Sequence, residues 1–205
     1  MSGALFLVLD GIDGCGKSTQ ATRLCDQLER AGRPRPLHLR EPGSTGLGEA
    51  LRGHLLDSDW ELSPSVEVLL FASARRQLLD ECVAPSLAAG RDVICERFHA
   101  STYAYQGHAG LLDAEELMGL LTGWANTPPP DAEWILTLSV ATAHARRGED
   151  RDRIERRGVE YQERVAEGYE AYVQRVPHAS SVNAERDPDA VAADLWERTR
   201  ALLDA

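Results

Sequence analysis

The sequence predicts an α/β fold in which a parallel sheet is covered by helices on both faces. Short apolar segments of strand length alternate along the chain with longer segments of helical periodicity. The apolar segments are nearly continuous, which is typical of parallel strands that are buried on both faces. Because the 205 residues contain neither an internal repeat nor a linker, we expect a single domain over residues 1–205.

Five segments are predicted to form the strands of this sheet. The third is preceded by a turn at Gly90, and the fifth has the weakest strand pattern. In chain order they are Ala4–Asp10, Arg35–Arg40, Asp92–Glu96, Ala132–Val140 and His178–Ala184.

The helices are predicted from caps, prolines and apolar spacing. Ser63 followed by Pro64 is a typical helix start, and we expect that helix to stop near Pro85. The predicted helices span residues 17–31, 64 to about 83, 113–124 and 189–203. A further helix near the carboxyl terminus has apolar residues at helical spacing, so that they share one face. These residues are Tyr161, Val165, Tyr169, Tyr172 and Val176.

The charge balance and the cysteines exclude several classes of protein. The chain has 33 acidic and 22 basic residues, a net charge of −11, and this argues against binding to nucleic acid or to an anionic membrane. No apolar run approaches the ~20 residues of a membrane span. The four cysteines lack metal-binding or disulfide spacing, so we expect reduced thiols in a cytoplasmic protein.

A phosphate-binding motif lies between the first strand and the first helix. Residues 11–18 fit the pattern G-x-x-x-x-G-K-[ST], in the structural context that the motif requires. Its glycines let backbone amides turn toward phosphate oxygens, and the helix amino terminus adds positive charge. Lys17, the single lysine of the chain, would contact the β- and γ-phosphates of ATP, and Ser18 would bind Mg²⁺. The predicted ATP-binding residues here are Gly11, Ile12, Asp13, Gly14, Cys15, Gly16, Lys17, Ser18 and Thr19.

This motif alone does not distinguish switches, motors and kinases. A guanine-specific GTPase normally reads its base with Asn-Lys-x-Asp, and this chain has no second lysine with which to build that motif. The third predicted strand ends in Glu96 and Arg97. A carboxylate and a guanidinium therefore lie at the carboxyl edge of the sheet, where ligands of α/β folds bind.

An arginine-rich segment, Arg146–Arg157, contains six arginines and four acidic residues, with Ile154 as its one large apolar side chain. It can bury little surface. One interpretation is a solvated, salt-bridged helix end, which is the usual meaning of a charge run. The other is a mobile lid that closes on an anion, and the phosphate motif favours this second interpretation.

Taken together, five motifs in this order resemble thymidylate kinases over essentially the whole chain. They are FLVLDGIDGCGKSTQ at 6–20, REPG at 40–43, LLFA with an arginine at 69–75, ERFHASTYAYQG at 96–107 and DRIE at 152–155. The resemblance implies a P-loop NTPase fold with a five-stranded parallel sheet and a lid at about 146–157. It also implies a Mg²⁺-dependent homodimer that converts ATP and dTMP to ADP and dTDP.

The resemblance assigns acceptor-binding roles to several side chains. Arg40 and Arg97 would hold the phosphate of dTMP, and Arg97 would also stabilise the charge that develops during transfer. A structural ion pair is the alternative for both. Phe71 would stack on thymine and Arg75, four residues later on the same helix face, would bind a base oxygen. Without the resemblance, Phe71 would be interpreted as a core residue.

The run from Ser101 to Gln106 would complete the base and sugar pocket. Its predicted members are Ser101, Thr102, Tyr105 and Gln106. Tyr105 would exclude a ribose 2′-hydroxyl, and the alternative for it is a core aromatic whose hydroxyl reaches the surface. Asp13 would lie near the sugar 3′-hydroxyl and orient Arg97.

The residue at position 14 decides where the catalytic arginines are expected. Some family members have an arginine there, whereas others supply it from the lid, and this chain has Gly14. Arg147 and Arg153 are therefore the predicted arginine fingers on the ATP phosphates, with Arg151 as a further contact.

Three positions differ from the usual family pattern. Glu96 replaces the usual aspartate before Arg97, which alters the expected Mg²⁺-side geometry. Ser139 and Asn183 stand where aspartates are usual, and both are interpreted as structural.

Two other functions fit the sequence less well. A deoxynucleoside kinase often has Glu-Arg after its third strand and uses a carboxylate base on a 5′-hydroxyl, but the REPG and YQG motifs argue against it. A non-catalytic nucleotide-binding regulator on the same fold is less consistent with an intact Lys17, Ser18 and Arg97.

Overall fold

The computed structural model describes residues 3–57, 60–123, 127–146, 153–154 and 157–204. These residues contain a five-stranded sheet in the order β2-β3-β1-β4-β5, and every neighbouring pair is parallel. The strands are Phe6–Asp10 (β1), Leu37–Arg40 (β2), Val93–Glu96 (β3), Ala132–Thr137 (β4) and Ala179–Asn183 (β5). The predicted α/β fold with a five-stranded parallel sheet is confirmed.

Helices connect and cover the strands. They are Lys17–Arg30 (α1), Gly46–Arg52 (α2), Pro64–Leu78 (α3), Ala84–Ala88 (α4), His99–Thr102 (α5), Ala114–Thr122 (α6), Val140–Arg146 (α7), Val159–Arg175 (α8) and Pro188–Leu203 (α9). Wider π-helical turns continue α2, α3 and α5 over Gly53–Asp57, Leu79–Val83 and Tyr103–His108. Among the described residues, no helix combines the length and apolar character needed to cross a membrane.

Two predicted boundaries were wrong for identifiable reasons. The helix that begins at Pro64 does not stop near Pro85, since helical structure continues to Ala88. Pro85 lies in the first turn of α4, where a backbone N–H is not required. The fourth strand ends at Thr137 and not at Val140, because the Ser139 hydroxyl accepts the amide N–H of Thr142 at 3.1 Å and starts α7.

Apolar side chains of β1 alternate between the two faces of the sheet. Phe6 and Val8 pack with residues of α3 and β3, whereas Leu7 and Leu9 pack with residues of α1 and α9. A third apolar cluster joins α3, α8 and the helix that starts at His99. The five apolar residues predicted to share one helix face are all buried, four of them in α8 and Val176 directly after its end.

The carboxyl ends of three strands define the position of the site. Arg40 at the end of β2 is in register with Glu96 at the end of β3, and Glu96 is also in register with Leu9 of β1. The phosphate motif follows β1 directly. The edge predicted to bind ligands therefore carries Asp10, Glu96 and Arg97 within one small region.

Candidate active site

Glycines in the phosphate loop, residues 11–18, leave its backbone amides accessible to an anion. Gly11, Gly14 and Gly16 have φ values of 135°, 87° and 94°. A Cβ at Gly11 would lie only 2.4 Å from the backbone oxygen of Leu136, so β4 leaves no room for a side chain. The N-cap of α1 is Gly16, so no side chain caps the amides of its first turn. This combination favours binding of an anion.

Lys17 lies over the loop that precedes it. Its Nζ donates to the backbone oxygens of Gly11 at 2.8 Å and Ile12 at 3.0 Å, and it is 3.6 Å from Asp13 Oδ1. The side chain is 8% exposed. The third N–H of the ammonium is directed to Cys15 Sγ at 3.7 Å, a weak acceptor that a phosphate oxygen would replace.

Cys15, within the same loop, is not a nucleophile. Burial raises the pKa of its thiol above the ordinary value, and the nearby Lys17 and Arg97 only partly offset this. Since the thiolate is the reactive form, the thiol stays protonated and inert near neutral pH.

Ser18 and Glu96 form the candidate metal side of the site. The Ser18 hydroxyl donates to Glu96 Oε2 at 2.5 Å, and His38 Nε2 lies 2.9 Å from Glu96 Oε1. Burial tends to raise the pKa of Glu96, but the hydrogen bonds from His38 and Ser18 outweigh it and lower the pKa below the usual value. The longer side chain of glutamate thus reaches the phosphate loop directly, as an anion.

Arg97 lies between the phosphate loop and a neighbouring cavity. Its guanidinium contacts Asp13 Oδ1 and donates from Nη1 to Ser101 Oγ at 3.1 Å. The guanidinium carbon is 5.6 Å from the centre of the Tyr105 ring. Arg97 has a φ of 67°, which is unusual for a residue with a Cβ and is typical of functional positions that the surrounding structure holds in place.

Asp10 connects the segments around the site through hydrogen bonds, a role that the sequence did not predict. Its buried carboxylate accepts the amides of Gly11, Phe98 and Ser101 and the hydroxyls of Ser101 and Tyr169, at 2.7–3.0 Å. Asp10 therefore fixes the phosphate loop, the start of α5 and α8 relative to each other. An acidic residue at the end of an otherwise apolar strand was the available signal for it.

A cavity of about 120 Å³ opens beside Arg97. The predicted acceptor-binding residues in its lining are Asp13, Phe71, Arg75, Arg97, Ser101, Thr102, Tyr105 and Gln106. Side chains that sequence reasoning did not assign also line it, namely Glu41, Pro42, Arg52, Leu56, Phe98 and Ile154. The tertiary structure thus brings together residues from five separate parts of the chain.

Arg75 is held rigidly in the wall of this cavity. Its Nε donates to Glu41 Oε2 at 3.0 Å, and its Nη2 donates to the Phe98 backbone oxygen and to Thr102 Oγ1. The Arg75 side chain is 1% exposed, and its Nη1 has no hydrogen-bond partner. A buried guanidinium nitrogen without a partner is costly, and an oxygen of a bound ligand would satisfy it.

Glu41 is the counter-ion of Arg75 and is also buried. Its Oε1 lies 2.5 Å from Arg75 Nη2. Burial raises the pKa of Glu41 to about 7, although the adjacent Arg75 opposes the shift. A carboxyl that titrates near neutral pH therefore adjoins the cavity.

Arg40 and Arg52 differ in their position relative to the cavity. The structure places Arg40 outside the lining, half exposed, with its Nη2 3.6 Å from Glu49 Oε1. Arg52 lines the cavity and donates from Nη1 to the Pro42 backbone oxygen at 3.0 Å. The predicted role of Arg40 in phosphate binding stays a prediction.

The predicted lid is described only in part. Arg147 and Arg151 lie outside the described residues, so the structure says nothing of them. Arg153 donates to the Leu55 backbone oxygen at 3.0 Å and to Glu67 Oε1 at 2.7 Å, on the cavity side of the molecule. Its predicted contact with the ATP phosphates also stays a prediction.

Ser139 and Asn183 have local hydrogen bonds. Ser139 caps α7, and Asn183 Oδ1 accepts the amide of Glu185 at 2.9 Å after β5. Among the described residues there is no group of three or more His, Cys, Asp or Glu side chains placed to bind a metal ion.

Comparison with known proteins identifies the family. The thymidylate kinase family model matches residues 9–195. The thymidylate kinase of Desulforudis audaxviator is 44% identical over 209 residues, with 99% of this chain and 93% of that protein covered. The thymidylate kinase of Pelotomaculum thermopropionicum is 38% identical, with 98% and 94% covered. A crystal structure of thymidylate kinase from Ehrlichia chaffeensis superimposes with a TM-score of 0.77 at 27% identity, covering 96% of this chain and 99% of that one. With the sequence, the phosphate loop and the fold in agreement, this chain belongs to the thymidylate kinase family.

Proposed function

We propose that the phosphate loop binds ATP, that the adjoining cavity binds dTMP, and that the enzyme transfers the γ-phosphoryl group between them. A phosphate oxygen of dTMP attacks the γ-phosphorus, the bond to the β,γ-bridging oxygen breaks, and dTDP and ADP result. One observation carries the assignment: the cavity that contains Phe71 and Arg75 opens at Arg97 and Asp13, directly beside Lys17.

On the acceptor side, the contacts support recognition of a thymine base and a deoxyribose. Phe71 presents an aromatic ring in the cavity wall, and Arg75 presents an unpartnered Nη1 that can donate to a base oxygen. The Tyr105 hydroxyl is 3.5 Å from Asp13 Oδ2, at the end of the cavity nearest the loop. We infer that Tyr105 lies against C2′ of the sugar. Ser101, Thr102 and Gln106 complete the pocket.

Charge neutralisation of two anionic nucleotides would come from a few cationic side chains. Lys17 binds the β- and γ-phosphates of ATP, supported by the amides of residues 11–19. Arg97 binds the acceptor phosphate and the transferring group, and Asp13 orients its guanidinium. Arg40 directly precedes the cavity residues Glu41 and Pro42, and we propose that its half-exposed side chain turns to the acceptor phosphate. Arg147 and Arg151 are proposed to contact the donor phosphates, whereas Arg153, which pairs with Glu67 Oε1 at 2.7 Å, is not assigned to them.

Ser18 and Glu96 fit a Mg²⁺ ion. Magnesium in nucleotide sites usually has one or two protein oxygen ligands, with phosphate and water oxygens as the others. A hydroxyl and an ionised carboxylate 2.5 Å apart at the loop supply that donor set. When bound, the ion would neutralise charge on the β- and γ-phosphates. His38 would hold the Glu96 carboxylate in place.

The test is turnover of a matched panel of acceptors with ATP: dTMP, dUMP, dCMP, UMP and thymidine. We expect the highest kcat/KM with dTMP, and loss of ADP release with Lys17→Ala. Faster phosphorylation of thymidine than of dTMP would identify a deoxynucleoside kinase. ATP binding without any dTMP-dependent ADP release would identify a non-catalytic regulator.

We further propose that the enzyme is a cytoplasmic homodimer. The four free cysteines are consistent with a reducing compartment.

The dimer surface is proposed on α3. Two apolar side chains of α3 are exposed, Val66 at 42% and Leu69 at 57%. Leu69 and Val68 line a shallow groove against Leu117 and Leu120 of α6. Adjacent exposed apolar residues of this kind mark an interaction surface.

A further inference from the structure

Glu67, in the first turn of α3, is a buried carboxylate to which the proposed reaction assigns no role. Its side chain is 0% exposed. It accepts hydrogen bonds from Gln106 Nε2 at 2.9 Å, Arg153 Nη2 at 2.7 Å and Arg157 Nη2 at 2.6 Å. These three donors come from two parts of the chain that are distant from Glu67 in sequence.

Packing alone does not account for a glutamate at this position. Removing a carboxylate from water costs several kcal/mol, and an apolar side chain of similar volume is often at least as stable. The two guanidiniums exceed the single carboxylate in charge, so the cluster has a net positive charge. The distinguishing property of the cluster is that it joins three separate elements through directional, charge-assisted hydrogen bonds.

Two of these bonds lead to the wall of the proposed dTMP cavity, one directly and one through a chain neighbour. Gln106 lines that cavity, and so does Ile154, the neighbour of Arg153. Arg153 also donates from its backbone amide to the Leu56 oxygen at 3.0 Å, and Leu56 lines the cavity as well. Glu67 therefore fixes the part of the arginine-rich segment that closes the cavity.

Arg157 provides a second connection to the same wall. Its Nη1 donates to the Tyr161 hydroxyl at 3.0 Å, and that hydroxyl donates to the Tyr105 backbone oxygen at 2.7 Å. Tyr105 is the side chain proposed to contact the sugar. Displacing Arg157 would thus disturb Tyr105 as well as Ile154.

We propose that Glu67 is a positioning residue for acceptor binding: it holds Arg153 and Arg157 so that Ile154, Gln106 and Tyr105 form a closed wall around the nucleotide. This inference rests on the proposed function, because it takes the cavity to be the dTMP site. It does not place Glu67 in contact with the reacting atoms. Its effect should therefore fall on dTMP affinity and not on the chemical step.

The test compares Glu67→Gln with Glu163→Gln, a matched substitution of an exposed glutamate on α8. Equilibrium binding of dTMP is measured by calorimetry in the absence of ATP, together with binding of a non-hydrolysable ATP analogue and kcat at saturating dTMP. We expect Glu67→Gln to weaken dTMP binding about tenfold, the loss typical of a hydrogen bond to a charged group, with analogue binding and kcat unchanged. Glu163→Gln should match the wild type in all three measurements.

Arg157→Gln is the second variant, and it tests the positioning role of Glu67 if Glu67→Gln does not fold. The partly exposed Arg157 can be replaced while Arg153 still pairs with Glu67. We expect a smaller loss of dTMP affinity in the same direction. In the double variant, the fold-loss of dTMP affinity should be smaller than the product of the two single fold-losses, because Arg157 acts through Glu67.

Unchanged dTMP affinity in a folded Glu67→Gln or Arg157→Gln variant would overturn the proposal. So would a fall in kcat without a change in dTMP affinity, since that would place the arginines in the transfer step. Wild-type turnover of dTMP is measured in the same series. Its absence would count against the proposed function, whereas normal turnover with unaltered variants would count against Glu67 alone.

Discussion

The arginines around the cavity differ in what holds them. Arg75 is fixed by Glu41, Thr102 and a backbone oxygen, so that a single nitrogen is left for a ligand. Arg97 is held by Asp13 and Ser101 in a left-handed backbone conformation. A fixed guanidinium loses little conformational freedom on binding and presents its donors in one orientation. We expect such residues to affect activity more than stability.

Replacing Arg97 tests this expectation. Arg97→Ala should lower kcat by about 10³-fold, the magnitude seen when a transition-state arginine is removed, with a small change in the free energy of unfolding. Steady-state kinetics and urea unfolding measure the two quantities. Arg30→Ala, at an exposed position at the end of α1, is the control and should leave both unchanged. Parallel loss of stability and kcat in Arg97→Ala would contradict a role in transfer.

Glu41 predicts a pH dependence of stability. Its pKa is raised to about 7 in the folded protein, from a model-peptide value of 4.5. Between these values the folded protein retains a proton that the unfolded chain releases, so stability falls as pH rises from 4.5 to 7 and is flat above. The loss is on the order of 3 kcal/mol.

Glu41→Gln removes this titration. The free energy of unfolding of the wild type and of Glu41→Gln is measured in urea at intervals from pH 5 to pH 8. The wild-type value minus the variant value should fall as the pH rises and level off above pH 7. Subtraction removes the contribution of all other titrating groups. A pH-independent difference would show that Glu41 titrates at its ordinary value.

At the scale of elements, some helices start at a cap that is local in sequence, and others start at a cap supplied by a distant residue. α9 begins at Asp187, whose side chain accepts the amide of Asp189 at 2.8 Å, with Pro188 in the first turn. These signals are visible in the sequence. α5 begins instead on Asp10, which is distant in sequence and accepts the amides of Phe98 and Ser101. No local pattern reveals such a cap, and α5 was accordingly not predicted.

The cap of α9 gives a prediction for stability alone. Asp187→Ala should lower the free energy of unfolding by about 1 kcal/mol, because it removes the acceptor for the first-turn amide. Asp187→Asn retains an acceptor oxygen and should cost only a few tenths of that amount. Chemical denaturation of the two variants measures the difference, and kcat should be the same for both. Equal stability of the two variants would mean that the cap does not contribute.

The whole molecule places its binding elements at one edge of the sheet. The phosphate loop follows β1, Glu96 and Arg97 end β3, and the cavity lies between that edge and α3. On α3, Leu69 is 57% exposed, whereas Arg75 is buried in the cavity wall. One helix thus serves the nucleotide cavity and the proposed dimer surface.

The dimer surface predicts a change in mass. Leu69→Glu should shift the protein from dimer to monomer in light scattering coupled to size-exclusion chromatography, because it places charge in an apolar contact. Leu111→Glu is a control, since Leu111 is 83% exposed and outside the groove. A monomeric wild type, or a dimer that Leu69→Glu leaves intact, would contradict the proposed surface.

The sequence by itself determined the fold class, the family, the phosphate loop and most residues of the cavity lining. It could do so because strand hydrophobicity, the glycine-lysine-serine spacing and the order of the five motifs are local properties of the chain. The predicted roles of the lid residues Arg147 and Arg151 remain expectations from the sequence.

Only the tertiary structure decided which buried side chains meet. Apart from the neighbouring Gly11 amide on Asp10, the hydrogen-bond partners named for Asp10, Glu41 and Glu67 are 34 or more residues away. A buried acidic side chain requires hydrogen-bond donors, but the sequence does not show which residues donate them. The packing of helices and strands decides both which acid is buried and which donors lie next to it. For the same reason Arg52 and Ile154 were recognised as cavity residues, and Arg40 was found outside the lining, only once the strands and helices were in place.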